Sequence, residues 1–551
     1  MHSGVRITRV VIACAAIVAI GVVLVSGGSD SDPRTPPALP GLPPPFLGTA
    51  VTGGGGLTAA VDAYGDVVDL RAPGPAGRAL IDNPSDRQAA GTVPTDTGIV
   101  PRVRIGGGPA RAMWEADSVT QRYPSGTNVV RTVARFGARR VMMTAAADGE
   151  ALAVDIRVNA KGAEPEISVN VEDGVRCARK RRAGLLHLLC RVGGAVPPVL
   201  GCAVGDVFRA AARQGRAWVG GSVPLGTGAP RWAQEMYRRS LLTIHALTSR
   251  KTGAVAAGAR DGWAYVWPRD AATAALALKA SGHRVEARAV ARFLTGLDLS
   301  AAARFDESGA PIPGRAAQGD AAGWIDAAAR ATGIPGVKPL PWRNRSDYQE
   351  SSPGTYLGNA LAAASVTPLP VPAADEEGVR TAREFGSELG LFRRAGDPGS
   401  GLDSAAGWAV RPFELRDLYP SVERTLLRLV RDGTPYGITP GEGWTGGEDP
   451  WSAPTAWSVW ALAGLAAEGR GEADRRAALE LLTDLRRAAT PAGDLPERVG
   501  AHTGIPTSTT PLLWSSAFAV LALRELWPRR RASDAASCGS GACARRPRRR
   551  R

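Results

Sequence analysis

Lysine and histidine are scarce in this chain, and its six cysteines fall into no metal-ligand pattern. Neither paired CxxC motifs nor flanking histidines occur, so a zinc site of the usual kind is excluded and neither metal nor cofactor is expected. A basic stripe with interleaved aromatics is also missing from the body of the chain. Of the formal charge of +15, about half gathers at one end, where Arg529, Arg530, Arg531, Arg545, Arg546 and the four arginines 548–551 face Asp534 alone. The body is therefore only mildly basic, which argues against a nucleic-acid enzyme. Also lacking is a clear A-x-A cleavage signal behind the apolar run 10–25.

That run follows Arg6 and Arg9 and ends at Ser26-Gly27-Gly28. Positive charge before it and none just after predict an N-in orientation, with the remainder outside the cytoplasm. Residues 1–31 are thus expected to be a signal anchor, or a signal peptide, that joins the chain to a membrane. Residues 32–46 are a proline-rich, semi-rigid spacer. The cysteines fit an extracytoplasmic compartment: Cys177 and Cys190 flank a short basic segment between strand-like runs, as a disulfide closing a hairpin would. Cys538 and Cys543 offer a small loop in the tail, and Cys202 has no evident partner. The arginine-rich tail, 528–551, is expected to be disordered, either binding an anionic envelope polymer or serving no function.

Within 47–225 the apolar period is two. Leu152, Val154, Ile156 and Val158 alternate with Ala151, Ala153, Asp155 and Arg157, and Ile167, Val169 and Val171 repeat the pattern. Turn signals such as Ala63-Tyr64-Gly65-Asp66 separate the runs, so an antiparallel β-sandwich is expected. It carries no constellation of catalytic residue types. Within 228–527 the period becomes helical: Val290, Phe293, Leu294 and Leu297, then Val422, Leu426, Leu429 and Val430, then Ala478, Leu481, Leu482 and Leu485. Between the helices lie loops rich in Gly, Pro, Trp and carboxylates, at 318–324, 342–355, 436–451 and 494–514. A helical scaffold bearing such loops suits glycan processing.

The most concentrated stretch is R-D-G-W-A-Y-V-W-P-R-D, 260–270. Trp263, Tyr265 and Trp267 at period two suggest an extended segment with one flat apolar face. A sugar ring is a matching ligand, because its C–H faces stack on aromatic rings while its hydroxyls need charged, multiply bonding partners. Pro268 ends the extended segment, and Asp270 falls at a natural helix start.

Five motifs in order, R-D-G-W-A-Y-V-W-P-R-D (260–270), Q-G-D-A-A-G-W (318–324), D-Y-Q-E (347–350), G-I-T-P-G-E-G-W (437–444) and L-P-E-R (495–498) with P-L-L-W-S-S-A (511–517), make the chain similar to glycoside hydrolase family 15. The resemblance is to the bacterial, glucoamylase-like type. It implies an antiparallel β-sandwich followed by an all-α (α/α)6 barrel. It also implies an exo-acting, inverting enzyme that releases glucose from the non-reducing end of an oligosaccharide or polysaccharide α-glucoside. Inversion requires two carboxyl groups about 6.5–9.5 Å apart, one protonating the leaving oxygen and the other activating water. Glu350 matches the family's acid and Glu497 its base. Arg269 and Asp270 match the pair that clamps the terminal sugar, with Trp267 as the subsite floor. Asp320 is either a further hydroxyl contact or a helix cap. Trp444 and Trp514 are either stacking surfaces or barrel core, with core favoured for Trp514. The chain departs from the pattern at Gln349, where tryptophan is common, at Arg498, where glutamine is common, and at Ser516, where histidine is common. Those changes leave room for a glycan-binding, envelope-associated relative without turnover. A glycoside phosphorylase is a third reading, which the base motif disfavours. Glu442 and Glu448 are the reserve candidates for the acid.

Overall fold

The computed structural model describes residues 49–81, 98–197, 200–260, 262–349, 352–366 and 380–529. The expected membrane segment and spacer, Cys538 and Cys543, Asp261 and Glu350 lie outside the described residues, as does the arginine tail from residue 530 onward.

Two antiparallel sheets build the N-terminal part. One runs Ala50–Gly53, Thr58–Val61, Val67–Ala72, Ile99–Ile105 and Ala163–Val169, with short strands Arg78–Ala79 and Ala110–Ala112 at its margins. The other runs Val175–Arg182, Leu185–Val192, Ala151–Val158, Arg139–Asp148, Val130–Phe136 and Ser118–Arg122. The facing residues Leu70, Val103, Val154 and Leu188 are buried together between them, so this is the expected sandwich. The strand Ala151–Val158 is buried on both faces, where simple alternation predicts one. Its second face carries Ala151 and Ala153, small enough to let the helix Leu200–Gly221 lie across the sheet through Leu200, Val204, Val207 and Ala211. Cys177 and Cys190 face each other across paired strands and are joined as a disulfide, and Cys202 is a free, exposed thiol.

The remainder is helical, in two layers. Pro268–Ala280, Ala321–Thr332, Leu357–Val366, the 3-10 helix Ser404–Ala409, Ser452–Ala467 and Leu513–Leu526 each pack on the next, and the last packs on the first. The six segments close a ring. They are buried almost all round, as an inner layer must be. Around them Arg284–Thr295, Tyr419–Arg431 and Glu472–Ala488 bury only one stripe and leave their charged faces to water. This is the (α/α)6 arrangement. Among the described residues no helix is long and apolar enough to cross a membrane.

The ring positions the chemistry. All five motif loops run into the N-termini of inner segments, at 268, 321, 357, 452 and 513, and therefore gather at one mouth of the barrel.

Candidate active site

The first loop is not extended. Gly262 takes a positive φ of 82°, and Trp263 and Ala264 both donate backbone N–H groups to the Arg260 carbonyl, so the chain turns at 262–265. The expected row of three rings on one face is overturned by that turn. Trp263 and Trp267 face a cavity, whereas Tyr265 packs against Ala257, Trp267 and Ala303 with the Arg304 guanidinium 4.7 Å from its ring centre. Pro268 begins the helix and Asp270 occupies its first turn, as expected.

The cavity holds about 320 Å3. Among its lining residues are Trp267, Arg269, Asp270, Gln349, Glu497 and Trp514, so the barrel mouth brings the predicted clamp, floor and base together. Glu497 is presented from a loop tied on both sides: its backbone N–H donates to the Thr509 carbonyl at 2.9 Å, and its own carbonyl accepts from Ser452 N–H at 2.9 Å. Its carboxylate accepts from Trp263 Nε1 at 3.3 Å and from the Ser508 hydroxyl. Burial pushes the Glu497 carboxyl up from its ordinary range, while those two donors and the charges of Arg498 and Arg315 pull it back.

Opposite stands a buried charge cluster. Arg269 donates to Asp320 Oδ2 at 3.1 Å and to Gln318 Oε1 at 3.0 Å, lies 3.8 Å from Asp270, and stacks 4.3 Å from the Trp514 ring centre. Burial raises the Asp270 carboxyl to about 7, a rise reinforced by Asp320 and Glu497 and opposed by Arg269. Asp320 sits at the N-cap of its helix but makes no capping bond; its side chain turns to Arg269 instead. It is fully buried behind that arginine rather than in the cavity wall, so it holds Arg269 in place. Trp514 serves both candidate roles, being a cavity wall and part of an aromatic core with Tyr348, Trp408, Trp457 and Phe518.

Trp444 is not in the cavity lining. It meets Trp451 edge to face at 5.4 Å, and it is Trp451 that lines the cavity. Glu442 and Glu448 are exposed and outside the lining; Glu442 lies 3.6 Å from Arg428 and Glu448 lies 4.0 Å from His502. Gln349 is buried in the wall, donating to the Tyr348 hydroxyl at 2.9 Å. Ser516 satisfies its hydroxyl inside its own helix, on the Leu512 carbonyl. Sequence reasoning missed Ser508, Arg315 and the wall position of Trp451; Ser508 lies in the run T-S-T-T, where nothing separates one hydroxyl from another. Among the described residues no group of histidine, cysteine and carboxylate side chains is placed to hold a metal ion.

A sandwich followed by a closed (α/α)6 ring of helices is also the fold of solved glucoamylases. A bacterial glucoamylase complexed with acarbose matches it with a TM-score of 0.65 at 12% identity, covering 90% of this chain and 96% of that one. A glucoamylase from Saccharomycopsis fibuligera is similar over 55% of this chain and 96% of its own, at 14% identity and a TM-score of 0.42. A family 15 glucoamylase from Hypocrea jecorina is similar over 50% and 67%, at 13% and 0.39. The sequence matches no protein-family model and no curated protein.

Proposed function

We propose that the chain is an exo-acting, inverting α-glycosidase that releases glucose from the non-reducing end of an α-glucan or α-glucoside. The observation that carries this reading is the cavity in which Glu497, set by Trp263 and Ser508, shares a wall-bounded space with Arg269 and Asp270. Glu497 is the base that takes a proton from water, and Glu350, next to the wall residue Gln349, is the acid that protonates the leaving oxygen. Arg269 and Asp270 orient the terminal sugar through its hydroxyls, and Trp267, Trp451 and Trp514 supply flat apolar surface for its C–H faces. The acarbose held by the bacterial glucoamylase of like fold supports an α-glucoside as ligand. The Cys177–Cys190 disulfide supports action outside the cytoplasm, with the N-terminal apolar segment as anchor or signal.

The test is sugar release from a panel of α-glucosides by the full chain, with the anomer followed by NMR. The β-anomer should appear first, and Glu497→Gln and Glu350→Gln should each lower turnover by roughly 10^2–10^4-fold. Initial release of the α-anomer, or full turnover by Glu497→Gln, refutes the reading. Sugar binding without release by the wild type favours the binding relative instead.

A further inference from the structure

The sandwich does more than cover one side of the barrel: it grips the two loop segments that build the Glu497 site. Asp494, three residues before Glu497, is buried at the seam between the two parts. Its Oδ1 lies 3.3 Å from Arg239 Nε and accepts from the Thr243 hydroxyl at 3.3 Å, while its Oδ2 lies 3.0 Å from the hydroxyl of Tyr123, which belongs to the sandwich. The Arg239 guanidinium stacks 3.7 Å from the Tyr123 ring centre and donates to Asn128 Oδ1 at 2.5 Å and to the Thr127 carbonyl at 3.2 Å, both again on the sandwich. Tyr123 is itself fixed, its hydroxyl accepting from Val51 N–H at 2.7 Å.

The second segment is held the same way. The Thr49 hydroxyl, at the entry to the first strand, donates to the Thr510 carbonyl. Thr510 directly follows Thr509, whose carbonyl accepts the Glu497 N–H, and Ser508, whose hydroxyl donates to the Glu497 carboxylate. Both loop segments of the carboxylate's cradle, 494–497 and 508–510, are thus tied to sandwich residues. A buried ion pair braced from several sides in this way has few low-energy arrangements, because a shift that separates Arg239 from Asp494 leaves both charges out of water.

We infer that Tyr123, through Asp494 and Arg239, is a positioning residue for Glu497, so that the β-sandwich sets the geometry of the base. The inference rests on Glu497 being that base. Removing the Tyr123 hydroxyl frees one oxygen of Asp494 and loosens the loop that carries Glu497, without touching the cavity itself.

The experiment compares full-length wild type, Tyr123→Phe, Asp494→Asn and Glu497→Gln by kcat and KM across pH on the α-glucoside that the wild type cleaves. It adds hydrogen exchange of 493–500, which needs no substrate. Tyr123→Phe keeps the ring under Arg239 but takes the acceptor from the Val51 N–H, so Tm is measured beside kcat, whereas Asp494→Asn strips Arg239 of its charge partner. The expected result for Tyr123→Phe is a fall in kcat of about tenfold, with KM within about twofold and the acidic limb moved to higher pH, because Glu497 sits less squarely on its donors. Exchange across 493–500 should rise while the helix Leu513–Leu526 stays protected. Unchanged protection of 493–500 overturns the anchor, whatever the turnover. A lower Tm with unaltered kcat and acidic limb shows Tyr123 to be merely structural and overturns the positioning role. Full turnover by Glu497→Gln overturns the base assignment, and the catalytic consequence drawn here falls with it.

Discussion

Glu497 is a carboxyl under opposing influences, and their balance sets the pH range in which it can take a proton. Burial favours the neutral acid, whereas the Ser508 hydroxyl, the Trp263 indole N–H and the charges of Arg498 and Arg315 favour the carboxylate. Ser508→Ala removes a hydroxyl donor to the carboxylate and leaves burial in place. The base then stays protonated to higher pH, so the acidic limb of kcat/KM moves upward. At pH 5 kcat/KM should fall about tenfold, while at pH 8 it should stay within about twofold of wild type. A uniform loss at every pH, measured over the same profile, would mean that Ser508 holds the loop and does not tune the acid. The residues that share this cavity were legible to different degrees. Trp267, Arg269 and Asp270 stand out because charge and aromatic rings side by side are unusual and chemically specific, whereas Glu497, in L-P-E-R, is marked only by the resemblance of its motif to that of family 15. Ser508 does not stand out, because a hydroxyl in a polar run acquires its role only when the chain folds back to place it beside residue 497.

At the scale of elements, the helical periodicity in the sequence marked Val290 to Leu297, Val422 to Val430 and Ala478 to Leu485, and each falls in the outer layer of the barrel. An amphipathic stripe exists only where a helix has one wet face. The inner helices, such as Ser452–Ala467 with Trp457 and Trp460 both buried, are apolar all round and leave no stripe to find. Their neighbours are instead written in small residues. Gly323, in Ala321–Thr332, lies so close to Leu357–Val366 that an added Cβ would stand 2.2 Å from the Ala362 carbonyl oxygen. Neither backbone can yield without parting two segments of the ring. Gly323→Ala is therefore expected to cost about 1–3 kcal/mol and to lower Tm by at least about 2 °C, despite the better helix propensity of alanine. Thermal unfolding by circular dichroism checks it, and a Tm at or above wild type would show that the two helices have slack.

Across the whole molecule, buried carboxyls couple folding to pH in one direction. Burial raises Asp62 and Asp270 to about 7, and Asp403, Asp474 and Asp484 to about 6. A carboxyl whose folded pKa exceeds its unfolded value contributes stability that is complete below about pH 4 and lost as pH climbs through the folded value. The loss therefore runs between about pH 4 and pH 7, and Tm should fall across that window. The imidazoles oppose it at the acid end. His245, lowered by burial to about 3, and His283, also lowered by burial, are stacked on either face of Trp218, and each destabilises the fold as pH drops below the ordinary histidine range. The five carboxyls outweigh the two imidazoles above about pH 4, so the net slope from there to pH 7 is downward. Asp474 isolates the carboxyl contribution, since it is not among the residues lining the cavity, is fully buried, and has both carboxylate oxygens without a hydrogen-bond partner. Asp474→Asn removes an ionisation that the fold resists. It should raise Tm by about 2–4 °C at pH 8, change little at pH 4, and flatten the slope between them. A Tm that drops equally at both pH values would show that the side chain is needed for its shape and that its charge is not what the fold opposes.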